Sequence, residues 1–272
     1  HSLSLTKERL QGEDILSDRM PRVDRHGTRQ AGGSIEVDFR TAAYDAFLES
    51  AMFGDFDSGS GELVVGTTPQ FMTIEDGALD INQYRLDTGM AVNTASFNGT
   101  NGQTINTTFD LVGKDMAQGA TTAASTLTPA SNFDPADTFS GEIFEGGTTA
   151  GDAIGIVSSI NFNITNSLAP VFAIGDAAAA QLEFGRAVVE GEITVYYEDA
   201  ALMQKFLDET ETSLRVTFDD PSGLNPYTFD FPRVKLNSGD APLANPQSRL
   251  VTHSFSALFD TTEGTNLKIT KA

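Results

Sequence analysis

Hydrophobic and polar residues alternate cleanly over residues 34–39. Ile35, Val37 and Phe39 fall on one face, and Ser34, Glu36 and Asp38 on the other. A period of two predicts a half-buried strand. The period then lengthens: Tyr44, Phe47, Leu48, Ala51 and Met52 recur at helical spacing, with Thr41 placed as N-cap and Gly54 placed to end the helix. The same pattern returns 158 residues later. Ile193, Val195 and Tyr197 alternate, Asp199 is placed as N-cap, and Leu202, Met203, Phe206 and Leu207 form the stripe. Met and aromatic stripes at this spacing predict core. Strands are predicted next at 71–75 and 213–218. Each half then closes with a long hairpin. The first pairs 84–97 with 103–114 across the turn at 98–102, and the second pairs 227–237 with 249–260 across a loop containing Pro and Gly.

The echo extends beyond this motif. Gly33, Ile35, Val37, Phe39 and the Ala42-Ala43 pair answer Gly191, Ile193, Val195, Tyr197 and Ala200-Ala201 in register. Leu3, Leu5 and Thr6 answer Phe162, Ile164 and Thr165, and Gly27 answers Gly185. Tyr84, Leu86, Asp87, Val92 and Asn93 answer Tyr227, Phe229, Asp230, Val234 and Asn237. A self-match at long period predicts two tandem domains, 1–150 and 151–272, both mainly β with one flanking helix.

The connections differ between the halves. Residues 55–70 are extra in the first and predict an inserted loop or hairpin. Residues 117–138 are small and polar and predict a long loop or linker. The segment 19–29 gathers Arg19, Arg22, Arg25, His26 and Arg29, which predicts an extended arm or loop, either solvated or docking on acidic surface of another copy. Strand character recovers at 139–144, the glycines of 146–151 mark the boundary, and 152–165 opens the second half.

Composition narrows the function classes. The 272 residues are 39% hydrophobic, with 19 Phe and no Trp, so Phe must supply most aromatic core. Cysteine is absent, which excludes disulfides, thiol catalysis and Cys-based metal sites. No apolar run approaches the roughly 18 residues of a membrane helix, and residues 1–9 lack the apolar stretch of a signal peptide. The formal net charge of −21 argues against a surface that grips nucleic acid. It fits a highly soluble protein, a surface that lets DNA pass without holding it, or a saline habitat.

No catalytic constellation emerges. His1, His26 and His253 are scattered and lack ligand spacing. Asp55, Asp57 and Gly59 resemble the start of a calcium loop, but its twelfth position is Gly66. Gly146 and Gly147 lead no phosphate-loop Lys, and no Gly-x-Ser-x-Gly elbow exists. Asn98, Asn106 and Asn163 begin Asn-x-Thr triplets, as expected in a chain rich in both residues. The expectation is a non-enzyme with no catalytic, cofactor-binding or metal residues and no cofactor.

The order strand, helix, strand, long hairpin in each half resembles the tail tube proteins of long-tailed bacteriophages (siphoviruses). These share a β-sandwich with one flanking helix with the tube protein of type VI secretion. The likeness is carried by residues 191–197, the helix 199–209, the strand 214–218 and the closing hairpin. Phrases at 80–84, 113–116 and 139–147 add to it. It implies a structural virion protein, made in the host cytoplasm, that self-assembles into stacked rings and meets other tail proteins at the tube ends. As a free subunit it would touch no membrane. Because single-domain members form hexameric rings, two domains per chain imply trimeric rings with pseudo-sixfold symmetry. A barrel of about 24 strands, spaced ~4.8 Å and tilted ~40°, is roughly 150 Å around and about 48 Å across, wide enough for duplex DNA to pass without specific binding. The hairpins 84–114 and 227–260 are the candidate inner strands. The alternatives are a distal tail or baseplate hub protein of the same fold, and a secreted two-domain β carbohydrate-binding protein or hydrolase.

Overall fold

The computed structural model describes residues 1–12, 17, 18, 20, 23–127, 129, 133–147, 154, 156–198, 200–239 and 249–271. The first half contributes β1 (Ser4–Gln11), β2 (Asp24–Asp38), α1 (Asp45–Met52), β3 (Glu62–Val64), β4 (Met72–Ala78), β5 (Gln83–Thr100), β6 (Asn106–Val112), β7 (Asp115–Gly119) and β8 (Asp137–Glu145). The second contributes β9 (Val157–Thr165), β10 (Ala169–Phe172), β11 (Ala179–Glu183), β12 (Val188–Tyr196), α2 (Ala201–Leu207), β13 (Thr212–Asp219), β14 (Tyr227–Leu236), β15 (Leu250–Ala257) and β16 (Lys268–Lys271). The fold is mainly β and antiparallel throughout.

One sheet runs β1-β2-β6-β5-β9-β12-β15-β14-β13-β8. Its pairing order recurs. In the first half β6 lies between β2 and β5, β1 flanks β2, and the early part of β5 also pairs β4 and β7. In the second half β15 lies between β12 and β14, β9 flanks β12, and the early part of β14 also pairs β13 and β16. The two sets meet where β5 pairs β9. β8, which precedes residue 150, pairs β13 of the second half, and β3 pairs the C-terminal β16. The β10–β11 hairpin stands apart as a two-stranded sheet.

Phenylalanines from both halves fill one core. Phe97 of β5 stacks on Phe162 of β9 with ring centroids 4.8 Å apart, and Phe229 of β14 lies 5.1 and 5.3 Å from the two rings. Phe218 and Phe39 close the cluster at 5.2 Å from Phe229 and 5.9 Å from Phe97. Two glycines seat strands beside it. Gly33, at φ 140°, lies against β1, where a Cβ would come within 2.8 Å of Leu3 Cα. Gly191, its counterpart, sits between Phe162 and Phe255, and a Cβ there would meet the Phe255 ring at 2.6 Å and the Asn161 carbonyl more closely still.

Buried polar groups tie the helix to both halves. Ser50 Oγ accepts from Val92 N–H at 3.0 Å and donates to Gln70 O at 2.8 Å. Asn166 Nδ2 donates to Ala51 O and Val92 O at 2.8 and 3.0 Å, satisfying a carbonyl the end of α1 leaves open. The Tyr227 hydroxyl donates to Asp45 and accepts from Ala42 N–H. Its pKa is pushed well up, first by burial and then by that carboxylate.

Several sequence expectations require correction. Thr41 is buried in a turn and caps nothing; Tyr44 stands at the N-cap of α1 without a side-chain bond. Phe53, at φ 55°, takes the left-handed C-cap before Gly54. Residue 199 lies outside the described residues, and Ala200 is the N-cap of α2. α2 has no fully buried residue: Leu202, Met203 and Phe206 pack partly against the core, and Leu207 is 64% exposed. α1, only one residue longer, buries Leu48, Ala51 and Met52, so it is the surface position of α2 and not its length that leaves its stripe half-exposed. Residues 55–70 form no self-contained hairpin, because their one strand, β3, pairs β16. Part of the arm, 24–29, is strand: it belongs to β2. The loop 117–138 begins within β7, contains buried Ala136, and runs into β8.

Phe97→Ala should cost about 3–5 kcal/mol, because a cavity opens between strands from both halves. Phe206→Ala, on half-exposed α2, should cost less than half as much. Urea unfolding followed by far-UV circular dichroism measures both. Gly191→Ala should cost roughly 1–3 kcal/mol through overpacking against Phe255. Unchanged stability of that variant would overturn close packing of Gly191 against Phe255.

Candidate interaction surfaces

The shared sheet sorts its residues by face. One core row runs Val37, Thr107, Phe97, Phe162, Gly191, Phe255, Leu236, and the next runs Ile35, Phe109, Ala95, Ile164, Val189, Ala257, Val234. The opposite face alternates with these in polar rows. Asp38, Asn106, Asn98, Asn161, Glu192 and Ser254 make one row; Glu36, Thr108, Ser96, Asn163, Glu190, Ser256 and Lys235 make another. Four carboxylates stand in these two rows against one cation. That cation is engaged, since Lys235 Nζ donates to Glu209 at 2.9 Å. Asn106 Nδ2 likewise donates to Glu36 at 3.2 Å.

The two long hairpins supply part of this face: the later half of β5, β6, β15 and the end of β14. The early halves of β5 and β14 leave it to pair other strands. β2, β9 and β12 contribute equally to this face. The alternation of Ser159, Asn161, Asn163 and Thr165 with Ile160, Phe162 and Ile164 was the signal for β9.

A second surface projects from the sheet. β6 covers β2 only from Gly32 to Asp38, so β1 and the first part of β2 continue as a two-stranded ribbon. Arg9 pairs Asp24 at its exposed end, and Leu10, Met20 and Val23 are exposed there. At its base Arg29 donates to Asp115 at 2.6 Å, and its N–H donates to Ala177 O at 2.7 Å. Apolar tips also emerge at Leu79 and Ile81, before β5, and at Ile174, between β10 and β11.

The sequence-flagged acidic and histidine residues serve turns and packing. Asp57 accepts from the N–H groups of Gly59 and Ser60 at 2.9 and 2.7 Å, so the calcium-loop look-alike is a capped turn. Asp260 caps Thr262 and Glu263 in the same way. These bonds hold both carboxyls below the usual aspartate range. His253 is buried, with Nδ1 2.9 Å from Ser238 O, whereas His1 lies on the surface near Asp76. Among the described residues no cluster of three or more His, Asp or Glu could hold a metal ion.

Glu75 anchors the start of the long loop. Thr122 Oγ1 and Ala123 N–H each donate to its carboxylate at 2.6 Å, which holds the Glu75 pKa below the usual glutamate value. A lowered pKa gives anchoring that is complete above the unfolded value and is lost as pH falls through the folded one. Glu75→Gln should therefore expose residues 120–127 to protease at neutral pH, as acid does to the unmodified chain. Limited proteolysis across a pH series checks this.

A sequence profile described as phage tail tube protein matches residues 3–257. No curated protein matches the chain significantly. The matched span takes in β1 through β15 and so covers the polar face, the projecting ribbon and both helices. The chain belongs to the phage tail tube protein family: it is a non-enzymatic structural protein of the virion tail, made in the host cytoplasm, that assembles into a tube with other tail proteins.

Proposed function

We propose that this chain is the ring subunit of a long-tailed phage's tail tube. It is a duplicated tube domain, with copies over 1–150 and 151–272, and three chains close a ring with pseudo-sixfold symmetry. The rings stack into the conduit through which DNA is ejected. The observation that carries this reading is the pairing order that occurs twice in one chain, joined by the β5–β9 pairing. The run from β1 to β14 counts eight strands, and three such runs supply the roughly 24 strands of a barrel wide enough for duplex DNA.

The polar rows face the lumen in this arrangement. Their Asn, Ser and Thr side chains wet the wall, and Glu36, Asp38, Glu190 and Glu192 repel phosphate. DNA adheres to proteins chiefly through Lys and Arg that displace its counterions, so a wall of this kind lets it slide. The exposed ribbon and the apolar tips project from the sheet and are suited to contacts between successive rings. Ordering such segments costs about 1–2 kcal/mol per residue, which inter-ring contacts offset.

Electron microscopy of assembled protein should show stacked rings of three chains; six chains per ring would overturn the duplicated-domain reading. The assembled tube should not retain duplex DNA at physiological salt. Replacing both Glu190 and Glu192 with Lys should create salt-sensitive retention, with each phosphate contact steepening the log–log salt dependence by about 0.9. Unchanged DNA passage through tubes of this variant would remove the polar face from the lumen.

A further inference from the structure

The repeated pairing order matches β1 to β9 and β5 to β14. β5 pairs β9 within the chain. The counterpart of that junction, β14 with β1, is not made, because β1 ends the sheet on the far side of β5. Among the described residues β1 pairs β2 alone, and its outer edge is open. Ser2 N–H donates to Ser34 O at 2.8 Å, so the alternation of an antiparallel strand points the amides of Leu3 and Leu5 to the open side. Phe162 and Ile164 occupy the matching places in β9, and Asn166, two residues on, donates its N–H across the junction to Asn93 O at 2.8 Å. The two strands therefore present amides of the same parity.

The receiving strands also match. Register shifts between Val92 and Thr94 of β5, leaving Asn93 as a bulge just before β9 is met. Leu236 of β14 lies opposite Phe255 as Val92 lies opposite Leu111. Asn237 follows, donating its N–H to Ser254 O at 2.8 Å, and Ser238 Oγ accepts from Ser254 N–H at 2.9 Å. Asn237 thus stands where Asn93 does, and Ser238 where Thr94 does. Beyond the bulge Thr94 pairs Thr165, the counterpart of Thr6.

We propose that the open edge of β1 pairs antiparallel with the end of β14 and the two residues that follow it in a second copy of this chain, with Thr6 opposite Ser238. The inference rests on the ring reading above and specifies how one chain grips the next. Thr6 extends the polar face across the junction, and Leu5 turns toward the core side. An uncovered strand edge is otherwise a template for uncontrolled pairing. The internal β5–β9 junction supplies the geometry, so half of the ring's junctions are made within chains and half between them.

The absence of cysteine makes the test clean. Opposed strand residues have Cα atoms about 4.5–5.5 Å apart, within disulfide reach. Oxidised assemblies of the Thr6→Cys, Ser238→Cys double variant should yield covalent oligomers up to the closed ring. Each single variant, and the displaced pair Glu8→Cys with Ser238→Cys, should yield none. In the unmodified protein the amides of Leu3 and Leu5 should exchange about tenfold or more slowly after assembly than before. Ordered tubes showing neither cross-link nor protection would overturn the edge pairing and leave the conduit reading standing. Protection without the cross-link would overturn this register. Failure of the unmodified protein to form rings at all would overturn both readings.

Discussion

The register of β9 against its neighbours is the constraint on which the rest depends. β9 pairs β5 on one side and β12 on the other, and the same alternation of faces passes through all three. Phe162 therefore stacks on Phe97 and lies beside Gly191, while Asn161 and Asn163 join the polar rows. A slip by one residue would drive asparagines into the aromatic core and phenylalanines onto the polar face. Gly191 makes the arrangement possible, since a Cβ there would run into the Phe255 ring and the Asn161 carbonyl. Asn166 then locks the end of β9 to the last turn of α1 and to β5.

Among the described residues the carboxylates take several tasks. Asp57 and Asp260 cap turns, where backbone amides stabilise the carboxylate. Asp230 and Glu145 meet Arg215 and Lys205 in half-buried pairs beside the second-half helix and strands. Glu36, Asp38, Glu190 and Glu192 stand on the shared polar face with little basic counterweight. In the proposed conduit, this last group is the one that would meet a polyanion moving past the protein. A net charge of −21 is thus partly a matter of local turn chemistry and partly a property of one sheet face.

Legibility followed the range of the interaction. α1, the hairpin of β5 with β6, and β13 were readable because adjacent residues set their periods and turns. The stripe of α2 was readable as helix but misleading as core, because the helix lies on the surface and packs only partly against the core. Thr41 had the chemistry of a cap, yet the chain takes another turn before the helix begins and Thr41 ends up buried. Residues 24–29 looked like an arm because their side chains are charged. They are strand because their backbone pairs β1, which composition does not report.

By itself the sequence determined the β character, the absence of cysteine chemistry, and the recurrence of one pattern 158 residues apart. Each of these is written in local spacing: alternation for strands, residue types for chemistry, and register for the repeat. Tertiary structure alone decided that β3 joins β16, that β8 joins β13, and that Phe39, Phe97, Phe162 and Phe229 share one core. Alternation names the face a residue occupies and says nothing of the strand beside it. The neighbour is chosen by which distant apolar faces can be buried together, and that choice exists only once the chain is folded.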